Sequence, residues 1–74
     1  MQRFGEKLRT LRTQRDLTMR ELAVLLDIGS FSFISKLEHG SQMPSPELIV
    51  KIARFFGVST DQLMLDELDV DEPL

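Results

Sequence analysis

The chain has 74 residues, nine Lys and Arg against twelve Asp and Glu, one His, no Cys and a formal net charge of -3. That length supports one domain with an economical core, and the lack of cysteine removes disulfides and thiolate metal sites, in keeping with a reducing cytoplasm. No apolar run approaches the roughly 20 residues of a membrane span and the N-terminus lacks the apolar stretch of a signal peptide, so a cytoplasmic protein with no membrane partner is expected.

From Arg3 to Arg15, Phe4, Leu8 and Leu11 recur at helical spacing while Arg3, Lys7, Arg9, Arg12 and Arg15 fill most of the remaining surface. This predicts a basic amphipathic first helix. Asp16-Leu17 breaks the pattern, and Thr18-Met19-Arg20-Glu21 reads as a capping box that opens a second helix. Met19, Leu22, Ala23 and Leu26 form its buried stripe and leave Val24 and Leu25 pointing elsewhere. Asp27-Ile28-Gly29 is a turn of about three residues, after which Ser30 caps a third helix that ends at Gly40. Two short helices joined so tightly have helix-turn-helix geometry.

Ser45-Pro46-Glu47 then starts a fourth helix with Leu48, Ile49, Ile52, Ala53 and Phe56 on its apolar face. Gly57 ends it, and Ser59-Thr60-Asp61-Gln62 opens a short fifth helix. No segment alternates as a strand does. Five of the acids, Asp66, Glu67, Asp69, Asp71 and Glu72, crowd the last nine residues, so positions 1–65 hold nine bases against seven acids. The expected division is a mildly basic folded domain over 1–65 and a frayed acidic tail over 66–74.

The residues Leu8-Arg9, Leu11-Arg12, Glu21-Leu22-Ala23, Ile34 to Gly40, Pro44-Ser45, Ile52-Ala53 and Gly57-Val58-Ser59 carry a family signature in their order and spacing. From about Gly5 to Leu65 the chain resembles the helix-turn-helix domains of the phage repressor and Cro type, the XRE family. The resemblance implies an all-α, five-helix repressor-like domain that binds double-stranded DNA with its third helix in the major groove. It places Phe31, Ser32 and Lys36 at base edges, and Thr18, Met19, Arg20, Ser30, Ser35, His39 and Ser41 near phosphates. It also pairs Arg12 with Glu38 across the first and third helices. The chain departs from the family's pattern by one extra residue between Leu22 and Ile34, with the turn glycine at Gly29 rather than at Asp27. With few bases in the loop after Gly40, affinity is expected to rest on a second subunit or on Arg9, Arg20 and Lys36.

Phe33 reads as packing against the second helix, whereas Phe31 fits a thymine methyl group, a protein contact or local packing. His39, without a cysteine nearby, is not expected to bind metal, and Asp69-Val70-Asp71 lacks the glycine and distant glutamate of a calcium loop. No cofactor is expected, and no nucleophile beside an oriented base suggests an enzyme. Two readings follow. One is a sequence-specific transcriptional regulator, a homodimer through Phe55, Val58, Leu63, Met64 and Leu68 on a near-palindromic operator. The other is an interaction module that engages a protein through Val24, Leu25 and Phe31.

Overall fold

Among residues 1–71, which the computed structural model describes, the chain forms α1 (Phe4–Gln14), α2 (Met19–Leu25), α3 (Phe31–His39), α4 (Pro46–Phe56) and α5 (Thr60–Met64), with no strand. Four helix starts are capped locally. Thr18, Ser30, Ser45 and Ser59 each accept from a first-turn amide, and Thr18 with Glu21 and Ser59 with Gln62 complete reciprocal capping boxes. In the Thr18 box the Glu21 carboxylate accepts the Thr18 amide, which lowers its pKa. The start of α1 is different, because Arg3 offers no side-chain cap. Its cap comes from the other end of the chain, where the Asp66 carboxylate accepts from the amides of Gln2 at 3.1 Å and Arg3 at 3.0 Å.

The ends of α1 to α4 each carry a residue in the left-handed region, whereas α5 ends in extended backbone at Leu65. After α1, Asp16 takes φ 55°, with Leu17 N–H donating to Arg12 O and Asp16 N–H to Thr13 O. After α2, Asp27 takes φ 57°, with Ile28 N–H donating to Ala23 O and Asp27 N–H to Val24 O. Both are Schellman terminations, with aspartate holding the left-handed position usually given to glycine. Gly40, at φ 77°, closes α3 in the same way. The turn before α3 therefore pivots on Asp27. Gly29 is not in the left-handed region, so the expectation that it serves as the turn glycine is corrected.

One core joins Phe4, Leu8 and Leu11 of α1 to the inner faces of the other helices, with α1 on α3 and α5, α2 on α3, and α4 on α5. The approach of α1 to α3 is close enough to require Gly5, since a Cβ there would stand 2.6 Å from the Leu37 carbonyl oxygen and closer still to that of Glu38.

The expectation of a frayed tail fails for residues 66–71. Beyond the Asp66 cap, Arg3 pairs with Asp69 at 2.7 Å, Gln62 Nε2 donates to the Asp69 carbonyl and Val70 is buried in the core. An acidic run can pack when its acids have partners, and here Arg3 and the start of α1 supply them. Residues 72–74, the rest of the expected tail, lie outside the described residues.

Two outcomes follow. Gly5→Ala should lower stability by about 1–3 kcal/mol even though alanine favours helix by about 1 kcal/mol, because the obstructing atoms are backbone; equilibrium urea unfolding measures it. The two amides hold the Asp66 carboxyl below its ordinary value of 3.8. Its stabilisation is therefore complete above about pH 4 and is lost as pH falls through the lowered pKa. Asp66→Asn should reduce Tm at neutral pH, and the gap from the parent should narrow below pH 4.

Candidate nucleic-acid interface

Helix α3 turns Ile34 and Leu37 into the core and presents its other side to solvent. Ser32, Lys36 and His39 follow one another at spacings of four and three along the exposed side, beside Phe31 and Ser35. At its start, the Ser30 hydroxyl accepts the Ser32 amide at 3.2 Å and lies 2.7 Å from the Ser32 hydroxyl. At its end, His39 Nδ1 lies 2.7 Å from the Ser35 carbonyl oxygen, so Nδ1 carries the proton and donates while Nε2 points away from that bond. The Ser41 hydroxyl donates to Lys36 O at 3.3 Å.

Among the described residues the Lys36 ammonium has no hydrogen-bond or ion-pair partner, and the same holds for the Arg9 guanidinium. Arg9 lines one depression with Met19 and His39, which places it at the edge of the α3 surface. Arg20 and Phe31 line another together with Ser30. The Arg20 guanidinium lies 4.3 Å from the centroid of the Phe31 ring, which is 41% exposed. Thr18 is exposed at the start of α2, its oxygen engaged by the Glu21 amide and its proton available to an acceptor. Two depressions thus border α3, one lined by Arg9, Met19 and His39 and one by Arg20, Ser30 and Phe31, and Met19 is half-buried with its side chain packed against the core. Phe33, half-buried, packs against the core.

This surface is oriented from beneath. Arg12 Nε donates to Glu38 Oε2 at 2.6 Å, Nη2 to Oε1 at 3.1 Å and Nη1 to the Leu17 carbonyl at 2.8 Å. The Glu38 side chain is 2% exposed. The hydrogen bonds to Glu38 raise the Arg12 pKa above its ordinary value. A forked pair at low exposure fixes both distance and angle between α1 and α3.

Two other cations expected at the surface of α1 are also engaged within the fold, Lys7 buried and Arg15 exposed. Lys7 is 1% exposed, and its ammonium donates to Gln62 O at 2.7 Å and Leu65 O at 2.6 Å at the end of α5. Arg15 lies over the rings of Phe55 and Phe56 and donates to their carbonyls at the end of α4. Lys7 corrects the sequence reading. Its position, three after Phe4 and four before Leu11, lies on the apolar stripe and was the available signal.

Of the expected dimer residues, Met64 is exposed and Phe55, Val58 and Leu68 are half-buried. Leu63 is fully buried in the core and has no surface to offer a partner, so it is withdrawn from that group. Val24 and Leu25 are exposed, Val24 at 78%. No helix among the described residues is long and apolar enough to cross a membrane.

A tight turn between two short helices, the second held outward by a third, defines a helix-turn-helix domain. Residues 8–63 match the helix-turn-helix family, and the chain belongs to that family, with a domain of the Cro and phage-repressor type. It is 38% identical over 72 residues to the cryptic phage CTXphi transcriptional repressor RstR of Vibrio cholerae, covering 96% of this chain and 64% of that protein. It is 42% identical over 64 residues to the transcriptional activator BcrR of Enterococcus faecalis, covering 86% of this chain and 31% of that protein. To the transcriptional repressor RghR of Bacillus subtilis it is 38% identical over 65 residues, covering 86% of this chain and 47% of that protein. The chain thus spans less than two thirds of the length of each of these relatives.

Glu38→Ala leaves the half-buried Arg12 guanidinium with only the Leu17 carbonyl and should cost up to about 3–5 kcal/mol, whereas the double replacement Arg12→Met with Glu38→Leu should cost clearly less. Urea unfolding of the single and double variants measures both.

Proposed function

We propose that the chain is the DNA-reading domain of a transcription regulator that inserts α3 into the major groove. The observation that carries this reading is the outward side of α3, where Ser32 and an unpaired Lys36 stand between the capped helix start and His39, on a helix braced by Arg12 and Glu38. Ser32 and Lys36 supply the hydroxyl and ammonium donors that base edges accept, and Phe31 supplies an apolar surface for a thymine methyl. Thr18, Met19, Arg20, Ser30, Ser35, His39 and Ser41 flank them as phosphate contacts.

The working form is a homodimer. Exposed Met64 and half-buried Phe55, Val58 and Leu68 support an interface near the C-terminal end of the fold. Two copies of α3 set about 34 Å apart would read half-sites one turn apart in a near-palindromic operator. Both repressors and an activator occur among the relatives, so the sign of regulation belongs to what surrounds the operator. Exposed Val24 and Leu25, at the end of α2, support a second reading, an interaction module that meets a protein there with weak or no DNA binding.

Retardation of random-sequence duplexes across a salt series tests the first reading. Affinity should fall steeply with salt. Lys36→Ala should cost about 1–3 kcal/mol on the preferred site and relax preference at one position, while Val24→Ser with Leu25→Ser leaves binding unchanged. Failure to retard any duplex at low salt would transfer the function to the protein-binding surface.

A further inference from the structure

Arg20 stands second in α2 and Phe31 first in α3, so two residues on different helices meet where the starts of both helices face outward. Arg20 has no carboxylate partner among the described residues; what holds its guanidinium is the Phe31 ring, 4.3 Å from the ring centroid. The contact with the ring uses no hydrogen bond of the guanidinium, whose N–H donors have no acceptor among the described residues and remain available to one. The ring itself is 41% exposed, which leaves an edge for an apolar contact.

Resting on the DNA-reading function proposed above, we infer that Arg20 and Phe31 act as one specificity-determining unit for a thymine beside a guanine. The Phe31 ring meets the C5 methyl of the thymine, and the guanidinium it supports donates to O6 and N7 of the guanine. Those are the apolar feature and the paired acceptors that these side chains recognise in the major groove. Arg20 is thereby moved from the phosphate contacts to the base contacts. The unit also accounts for an aromatic ring at a helix position that otherwise suits a polar reader, because the ring holds the reader instead of replacing it.

The test begins by selecting duplexes from random DNA with the parent protein. The thymine at the enriched step is then replaced by deoxyuridine, which removes only the methyl, or the guanine by 7-deazaguanine, which removes only the N7 acceptor. Each change should weaken the parent about fivefold or more. Arg20→Ala should abolish the guanine penalty. Phe31→Ala should abolish the methyl penalty and most of the guanine penalty as well, since the guanidinium loses its support. Arg20→Lys, which keeps the charge but loses the planar fork, should leave the salt dependence unchanged and lose most of the guanine preference. Melting curves that match the parent's establish that these exposed substitutions leave the fold intact.

Three results would overturn the inference. In one, Arg20→Ala weakens every duplex by the same factor and makes the salt dependence shallower, which assigns Arg20 to phosphate. In another, Phe31→Ala leaves the guanine penalty whole, which makes the two residues independent. In the third, selection with the parent enriches sequences that lack a thymine-guanine step. If the parent enriches no sequence at all, the DNA-reading function fails first and the inference falls with it.

Discussion

The Arg12 guanidinium ties α1 to two other parts of the fold at once: the Leu17 carbonyl just before α2 and the Glu38 carboxylate near the end of α3. A reading helix has to be held at a fixed angle while burying only one side, and a short chain has few apolar residues to spend on that task. The forked ion pair does it with directional bonds instead of area. Gly5 completes the constraint, because the backbone of α1 comes against the last turn of α3 where a side chain would keep them apart. Apolar packing through Ile34 and Leu37 supplies cohesion, and the ion pair with Gly5 supplies the angle.

The same helix distributes its other cations to the negative ends of its neighbours. Lys7 reaches the last carbonyls of α5 and Arg15 those of α4, while Arg3 meets the Asp66 carbonyl and the Asp69 carboxylate. Burying an ammonium is costly alone, but carbonyls at a helix end carry partial negative charge and lack partners of their own. No buried side-chain nitrogen or oxygen among the described residues is left without a partner. A count of bases on α1 thus overstates what it could offer to DNA. Arg9 remains for that purpose on α1, Arg20 on α2 and Lys36 on α3, so the negative overall charge and a small cationic surface coexist without conflict.

Helix number, caps and the inward residues of α3 were legible in the sequence because they rest on local chemistry: Thr18 with Glu21, Ser45 with Pro46, Ser59 with Gln62. Arg12 and Glu38 could be paired through family resemblance, not through spacing. What stayed hidden involves contacts between residues far apart in the chain. Asp66 looked like one charge in an acidic run, but it caps a helix that begins at the opposite terminus. Lys7 followed the rule that lysine is solvated, and only the carbonyls of α5 make its burial sensible. Leu63 was drawn toward a partner by its apolar neighbours, although the core needed it.

The extra residue in the α2–α3 connection can be understood from the same frame. If the turn alone set the angle between these helices, lengthening it would move α3. Here α2 ends independently, through Asp27 and the bond from Ile28 to Ala23, and α3 begins independently, through Ser30. Gly29 lies between two completed ends and has open space around it. The position of α3 is referred to α1 through Glu38 and Gly5, so the turn needs only to span the gap. Phe31 is the first residue after the cap, and there the contact with Arg20 links the start of α3 back to α2 across the turn.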